Sequence, residues 1–155
     1  MITAVDLVRG LGKYAGLEVI DVPGATGYLD TNYEGKADAA IKALERKDLV
    51  IIHVEAADEA GHEGDAEKKI QAIEDIDKRV IGRLLENLKG DFRIAVCADH
   101  PTPIKLRTHT AEPPPFAVYE KGKKGDSVGR FSERKMPEGE YGIVSATEFM
   151  GIFLG

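Results

Sequence analysis

The stretch Leu49-Val-Ile-Ile-His-Val-Glu-Ala-Ala-Asp-Glu-Ala-Gly-His-Glu-Gly-Asp65 decides how this chain is read. Its first six residues are a nearly continuous apolar run, which predicts a strand buried on both faces, as in a parallel sheet. Just beyond it Asp58 and His62 stand four apart, the spacing that sets two side chains on one helix face. Alone, such a pair is usually a solvated contact or a cap. Two later segments change its weight, Ala98-Asp-His-Pro-Thr-Pro103 and Arg107-Thr-His-Thr110. Asp58, His62, Asp99, His100 and His109 together supply carboxylate oxygen and imidazole nitrogen, the donor mix that holds manganese or zinc at a phosphoryl-transfer centre. Three of the chain's four histidines belong to this set.

Working outward, Ala4, Leu7, Val8, Leu11 and Ala15 recur at helical spacing, with Thr3 as N-cap and Gly16 as stop. Leu17 to Val22 reads as a short strand closed by Pro23-Gly24, followed by a loop rich in turn formers up to Gly35. Ala37, Ala40, Ile41 and Leu44 mark a second helix, entered through Thr31 and Asn32. His53, in the middle of the predicted strand, reads as a hydrogen-bonded structural histidine. Asp65 caps a long helix whose Ile70, Ile73, Val80, Ile81, Leu84, Leu85 and Leu88 form one stripe ending before Gly90. Glu63 and Glu67, near its start, read as solvated carboxylates. Phe92 to Ala98 is the third strand, so Asp99 and His100 lie just past its end, where open α/β sheets place their sites. Pro101 and Pro103 stiffen the turn behind His100. Phe116 to Tyr119 reads as an edge strand after the extended Pro113-Pro-Pro115 run. Ser145 and Glu148 form a capping box that opens a last helix. This alternation predicts an α/β fold spanning 1–155 as a single metal-binding domain, three-layered, with a mostly parallel sheet and helices on both faces.

Composition narrows the function. The 155 residues include 21 basic and 27 acidic side chains, a formal charge of −6, with no polybasic stripe, which argues against nucleic-acid binding. The single cysteine, Cys97, excludes an internal disulfide, and its neighbours Ile94, Ala95 and Val96 predict a buried, inert thiol. The opening residues carry no basic start followed by an apolar core, and no apolar run approaches membrane-spanning length. A soluble, unprocessed protein of the cytoplasm is expected.

The segments GATGYLDTNYEGKA (24–37), HVEAADEAGHEGD (53–65), ADHPTPI (98–104) and RTHTAEPPPF (107–116) resemble, in order and rough spacing, the carboxyl-terminal part of archaeal-type cofactor-independent phosphoglycerate mutase. The resemblance runs from about Asp6 to Tyr119. It implies the alkaline phosphatase superfamily, an alkaline phosphatase-like but partial fold, and a divalent metal, manganese first, with zinc or magnesium as alternatives. On the matching positions, Asp58 and His62 with His109 would hold one ion, and Asp99 and His100 part of a second. The family's remaining ligand, its serine nucleophile and the substrate-gripping residues of an inserted domain have no counterpart here. The implied partners are a missing amino-terminal half or subunit and, for the complete enzyme, phosphoglycerate. No nucleic acid or membrane is implied.

Three functions follow from different classes: the metal-site portion of such a mutase, inactive alone; a free-standing metal-dependent phosphatase using metal-bound water; and a metal-binding remnant without turnover. Ser127, Ser132 and Ser145 are the only serines, and none is placed beside the metal motifs, so no catalytic residue is nominated.

Overall fold

Ile2 carries all the parallel pairing in the chain. The computed structural model describes residues 1–155. It gives Ile2 isolated parallel bridges to Ile20 and to Ile52. The bonds are Ile2 N–H to the Ile51 carbonyl and His53 N–H to the Ile2 carbonyl, both 2.8 Å, and Ile20 N–H to the Met1 carbonyl at 2.9 Å. Neither Leu17–Val22 nor Leu49–Val54 continues into a strand. The three-layer, mostly parallel α/β sheet expected from the sequence is therefore corrected: the chain is mostly helical, and its one sheet is two-stranded and antiparallel. An apolar run becomes a doubly buried strand only where neighbours extend the ladder and cover both faces. Here Ile51 is 39% exposed, and pairing is confined to one residue.

The chain divides into two compact units, Met1–Leu88 with Thr102–Thr108, and Lys89–Pro101 with His109–Gly155. The first holds helices α1 (Asp6–Tyr14), α2 (Tyr33–Leu44), α3 (Ala56–Glu63) and α4 (Ala66–Asp75). A π-helix (Ile76–Gly82) then leads into α5 (Arg83–Asn87). Thr3 does not cap α1 as expected, since Val5 occupies the N-cap. The Thr3 hydroxyl instead accepts from Val5 N–H at 3.2 Å and meets His53 Nδ1 at 3.1 Å. Leu7 and Leu11 of the predicted α1 stripe face outward. The inward face holds Gly12, where a Cβ would lie 2.7 Å from Met1 Sδ.

The Asn32 side chain caps α2 by accepting from Gly35 N–H at 2.8 Å. The buried face of α2 is built from Ala37, Ala40 and Ala43, small enough to seat Tyr33 and Lys36 out of solvent. Lys36 Nζ donates to the His53 carbonyl at 3.2 Å, so a helix-borne ammonium braces the segment that leads to α3. Burial holds the Lys36 pKa below the ordinary lysine value, with Glu55 opposing. A lowered lysine pKa means that the unfolded chain binds more protons between the two values, so stability rises with pH across that window. Unfolding free energies of the protein and of Lys36→Met, measured from pH 7 upward, should diverge in the protein's favour as pH approaches 10.5, the ordinary value. Parallel curves would mean that the ammonium is not desolvated.

Asp65 caps α4 as expected, accepting from Lys68 N–H at 3.0 Å. The π-helix then changes the phase of the long helix, because its wider turns do not keep the 3.6-residue period. Ala72, Val80 and Leu84 point inward, whereas Ile70, Ile73 and Leu85 of the predicted single stripe are exposed. Two arginines exploit the shifted phase. Arg79 forks onto Glu34 at 2.6 and 2.8 Å and lies over the Tyr33 ring, and Arg83 forks onto Asp38 at 2.6 and 2.8 Å. Both pairs tie this helix to α2.

In the second unit β1 (Arg93–Cys97) pairs antiparallel with β2 (Phe116–Glu120), Cys97 opposite Phe116 and Arg93 opposite Glu120. Phe116 packs edge-on against Phe149 of α6 (Ala146–Leu154), ring centroids 5.4 Å apart. The Glu148 carboxylate accepts from Ser145 N–H at 2.9 Å and from its hydroxyl at 2.7 Å, so the capping box forms where the sequence places it. Cys97 ends β1 as an exposed residue, which corrects the expectation of a buried thiol. Local packing still desolvates its sulfur and, helped by Asp99, raises the thiol pKa. No helix is long and apolar enough to cross a membrane.

Candidate metal centre

Helix α3 is two turns long and sets Asp58 in its first turn and His62 in its last. One helical turn separates them, and His62 Nε2 lies 3.2 Å from Asp58 Oδ2. The helix ends at Gly64, whose φ of 75° gives the left-handed cap that glycine adopts without strain. A side chain there would also collide with the Arg107 guanidinium.

His62 has its tautomer fixed by a carbonyl. Nδ1 sits 3.0 Å from the Arg107 oxygen, which can only accept, so Nδ1 carries the proton. In the neutral ring Nε2 then turns a lone pair toward Asp58 Oδ2. Two electron-rich atoms at 3.2 Å require a cation or a proton between them. Donors bound to one divalent ion at about 2.0–2.2 Å are separated by roughly 3.0–3.5 Å along a coordination edge, and this pair falls in that range. The donor set, one carboxylate oxygen and one imidazole nitrogen, fits a divalent metal.

The other oxygen of Asp58 is also engaged. The Thr102 hydroxyl donates to Oδ1. Thr102 is buried, and its carbonyl accepts from Lys69 Nζ at 2.7 Å. Thr102–Thr108 thus grips α3 at both site residues: Thr102 holds Asp58, and Arg107, at a positive φ of 56°, presents its carbonyl to His62. Sequence reasoning took Pro101-Thr-Pro103 as a stiffener for His100 and missed both contacts. It also missed Glu55 and Glu59, whose carboxylate oxygens lie with that of Asp58 within 4.8 Å of one another. Their three- and four-residue spacing was the available signal.

The loop before α2 is tied to the end of α3. Tyr28 Oη donates to Glu63 at 2.5 Å, and Lys68 Nζ reaches both Glu63, at 2.7 Å, and Tyr28 Oη, at 2.9 Å. These donors hold the Glu63 carboxyl below its usual range, so Glu63 is an anchored group and not the merely solvated one expected. His53 is hydrogen-bonded through its ring and both backbone groups, in keeping with a structural role.

Asp99, His100 and His109 belong to the second unit. Asp99 Oδ1 accepts from His100 N–H at 3.0 Å, and Asp99 Oδ2 lies 3.4 Å from His100 Nε2. The His100 and His109 rings stack with centroids 3.6 Å apart. The connection is drawn in where Thr110 N–H meets the Pro101 carbonyl at 3.1 Å. Asp99 and His100 do follow a strand, but β1 belongs to an antiparallel pair, so the argument from carboxyl ends of a parallel sheet has no sheet to rest on. In sequence, His109 directly follows Thr108, the last residue of the segment that grips α3.

The sequence profile of the Metalloenzyme superfamily matches residues 1–154. The chain is 54% identical over 158 residues to a 2,3-bisphosphoglycerate-independent phosphoglycerate mutase of Methanosarcina mazei, aligning 99% of this chain with 40% of that protein. It is also 54% identical over 154 residues to 2,3-bisphosphoglycerate-independent phosphoglycerate mutase 2 of Methanothermobacter thermautotrophicus, covering 99% of this chain and 38% of the relative. The solved structure of the PH0037 protein from Pyrococcus horikoshii superimposes with a TM-score of 0.93 at 32% identity, over 99% of this chain and 46% of that one. The chain therefore spans about two-fifths of the length of the curated relatives it matches.

Proposed function

We propose that this chain, which belongs to the metalloenzyme superfamily and is strongly homologous to cofactor-independent phosphoglycerate mutases, is the metal-binding portion of such an enzyme. The complete enzyme would interconvert 2- and 3-phosphoglycerate through a phosphoserine outside these residues. One observation carries the metal reading: His62 Nε2 and Asp58 Oδ2 face each other at 3.2 Å, with His62 Nδ1 held from behind by the Arg107 carbonyl.

Asp58 and His62 are the ligands that α3 supplies, and the resemblance adds His109 as the third. Asp99 and His100 are by the same resemblance part of a second site. Mixed carboxylate and imidazole donors suit a divalent metal, and the resemblance puts manganese first, with zinc and magnesium as competitors. When bound, a divalent ion supplies positive charge that lowers the pKa of an attacking hydroxyl and neutralises the transferring phosphoryl oxygens. The chain's own residues hold that charge in place: Thr102 and Arg107 fix the two α3 side chains, and Lys36 braces the segment that leads into α3.

Titration of the chain with manganese by calorimetry is the test. One tight ion per chain is expected, because three ligands with water completing the shell can retain a divalent metal and two seldom do. Absence of any tight ion would overturn the reading. Two ions of equal affinity would contradict an incomplete second site.

A further inference from the structure

We propose that Thr102 is a positioning residue for Asp58, setting which carboxylate oxygen faces the metal; this rests on the metal reading above. An aspartate ligand has two equivalent oxygens and a freely rotating χ2, so without a partner either oxygen can turn toward His62. Here the Thr102 hydroxyl takes Oδ1, and Oδ2 is the oxygen at 3.2 Å from His62 Nε2. A carboxylate that ligates a metal through one oxygen is commonly held through the other by a hydrogen-bond donor, and loss of that donor costs metal affinity.

Thr102 is itself over-determined, as a positioning group must be. It is 3% exposed, and Lys69 Nζ binds its carbonyl at 2.7 Å. Against it lies Gly61 of α3, where an added Cβ would come 2.7 Å from the Thr102 carbonyl oxygen and 3.0 Å from its Cγ2. Only a residue without a side chain lets the Thr102 backbone come this close to the helix that carries Asp58. Prolines on both sides, Pro101 and Pro103, restrict the backbone of this short tract. Gly61, Lys69 and the two prolines thus aim one hydroxyl at one carboxylate oxygen.

The test compares Thr102→Val, which keeps the shape and removes the donor, with Thr102→Ser, which keeps the donor. Manganese affinity is measured by calorimetry at a temperature where circular dichroism shows each protein folded. Thr102→Val should bind about 10–100-fold more weakly than the unsubstituted chain. Thr102→Ser should restore most of the loss, which a role in packing alone would not give, since serine lacks the buried methyl. Lys69→Met, which frees the Thr102 carbonyl from the helix surface, serves should Thr102→Val not fold, and it should weaken binding in the same direction to a smaller extent. Thr102→Val binding as tightly as the unsubstituted chain would overturn the proposal and leave the metal reading intact. So would Thr102→Ser as weak as Thr102→Val, or, with Thr102→Val unfolded, Lys69→Met at full affinity. An unsubstituted chain that binds no manganese would instead remove the metal reading, and this proposal with it.

Discussion

Phosphoglycerate incubated with this chain alone is expected to keep its positional isomer ratio, and to equilibrate once the rest of a longer relative is supplied in trans. The expectation rests on which hydroxyls these residues offer. Ser145 is committed to Glu148 as a helix cap, and Ser127 and Ser132 lie in the second unit outside both strands and α6. The buried hydroxyl beside Asp58 belongs to Thr102, which spends its proton on that carboxylate. Phosphoryl transfer needs an activated nucleophile and a substrate held in line with it. Orientation alone is worth about 7–11 kcal/mol, roughly five to eight powers of ten in rate. With its serines placed as they are, and with the family's substrate-gripping domain among what the resemblance leaves outside these residues, turnover by this chain is expected to fall below detection. The check is the ratio of 2- to 3-phosphoglycerate with and without the remaining segment of the Methanosarcina mazei relative, together with the mass of each polypeptide. Turnover by this chain alone, or phosphate on one of its own serines, would sink the expectation. Phosphate on the added segment would support it.

How much of this was legible in the sequence depended on how local the deciding contact is. Asp65 and Ser145 cap helices through bonds to residues three positions away and could be read directly, and Asn32, read only as part of the entry to α2, caps it over the same distance. Asp58 and His62 share a helix face for the same reason. Strands depend on partners. Leu49–Val54 has the composition of a buried strand, yet only Ile52 bridges to Ile2, and composition carries no account of how far a ladder extends. The same reading overlooked Met1–Thr3, the segment that makes the bridges. The phase slip at Ile76–Gly82 escaped notice because a 3.6-residue period was carried through a π-helix. Most consequential were Thr102 and Arg107, which reach Asp58 and His62 from 44 and 45 residues away. A Pro-Thr-Pro tract announces stiffness. It does not announce what its hydroxyl will meet.

Among single substitutions, His62→Ala should have the largest effect on metal retention, weakening manganese binding by more than about 100-fold, the upper end of what losing a mere supporting contact costs. The imidazole supplies the only nitrogen donor on α3, and alanine removes the donor that lies 3.2 Å from Asp58 Oδ2. Asp58→Asn should approach the same loss by a different route, because it keeps the shape but removes the negative charge that a divalent cation requires. Neither change should unfold the first unit. The helix carrying both residues is capped at Gly64 through backbone bonds to Ala60 and Gly61, and its Glu63 remains anchored by Tyr28 and Lys68. His109→Ala tests the third ligand that the resemblance adds and should weaken binding to a comparable degree. Asp99→Ala should do little, since by the same resemblance that residue belongs to the incomplete site. The four affinities form a pattern that a nonspecific acidic surface would not produce, because such a surface would respond to loss of Asp99 about as strongly as to loss of Asp58 and hardly at all to loss of a histidine. Full affinity in His62→Ala would refute the site on α3, and a loss in Asp99→Ala as large as that in His62→Ala would move the tight ion to the second unit.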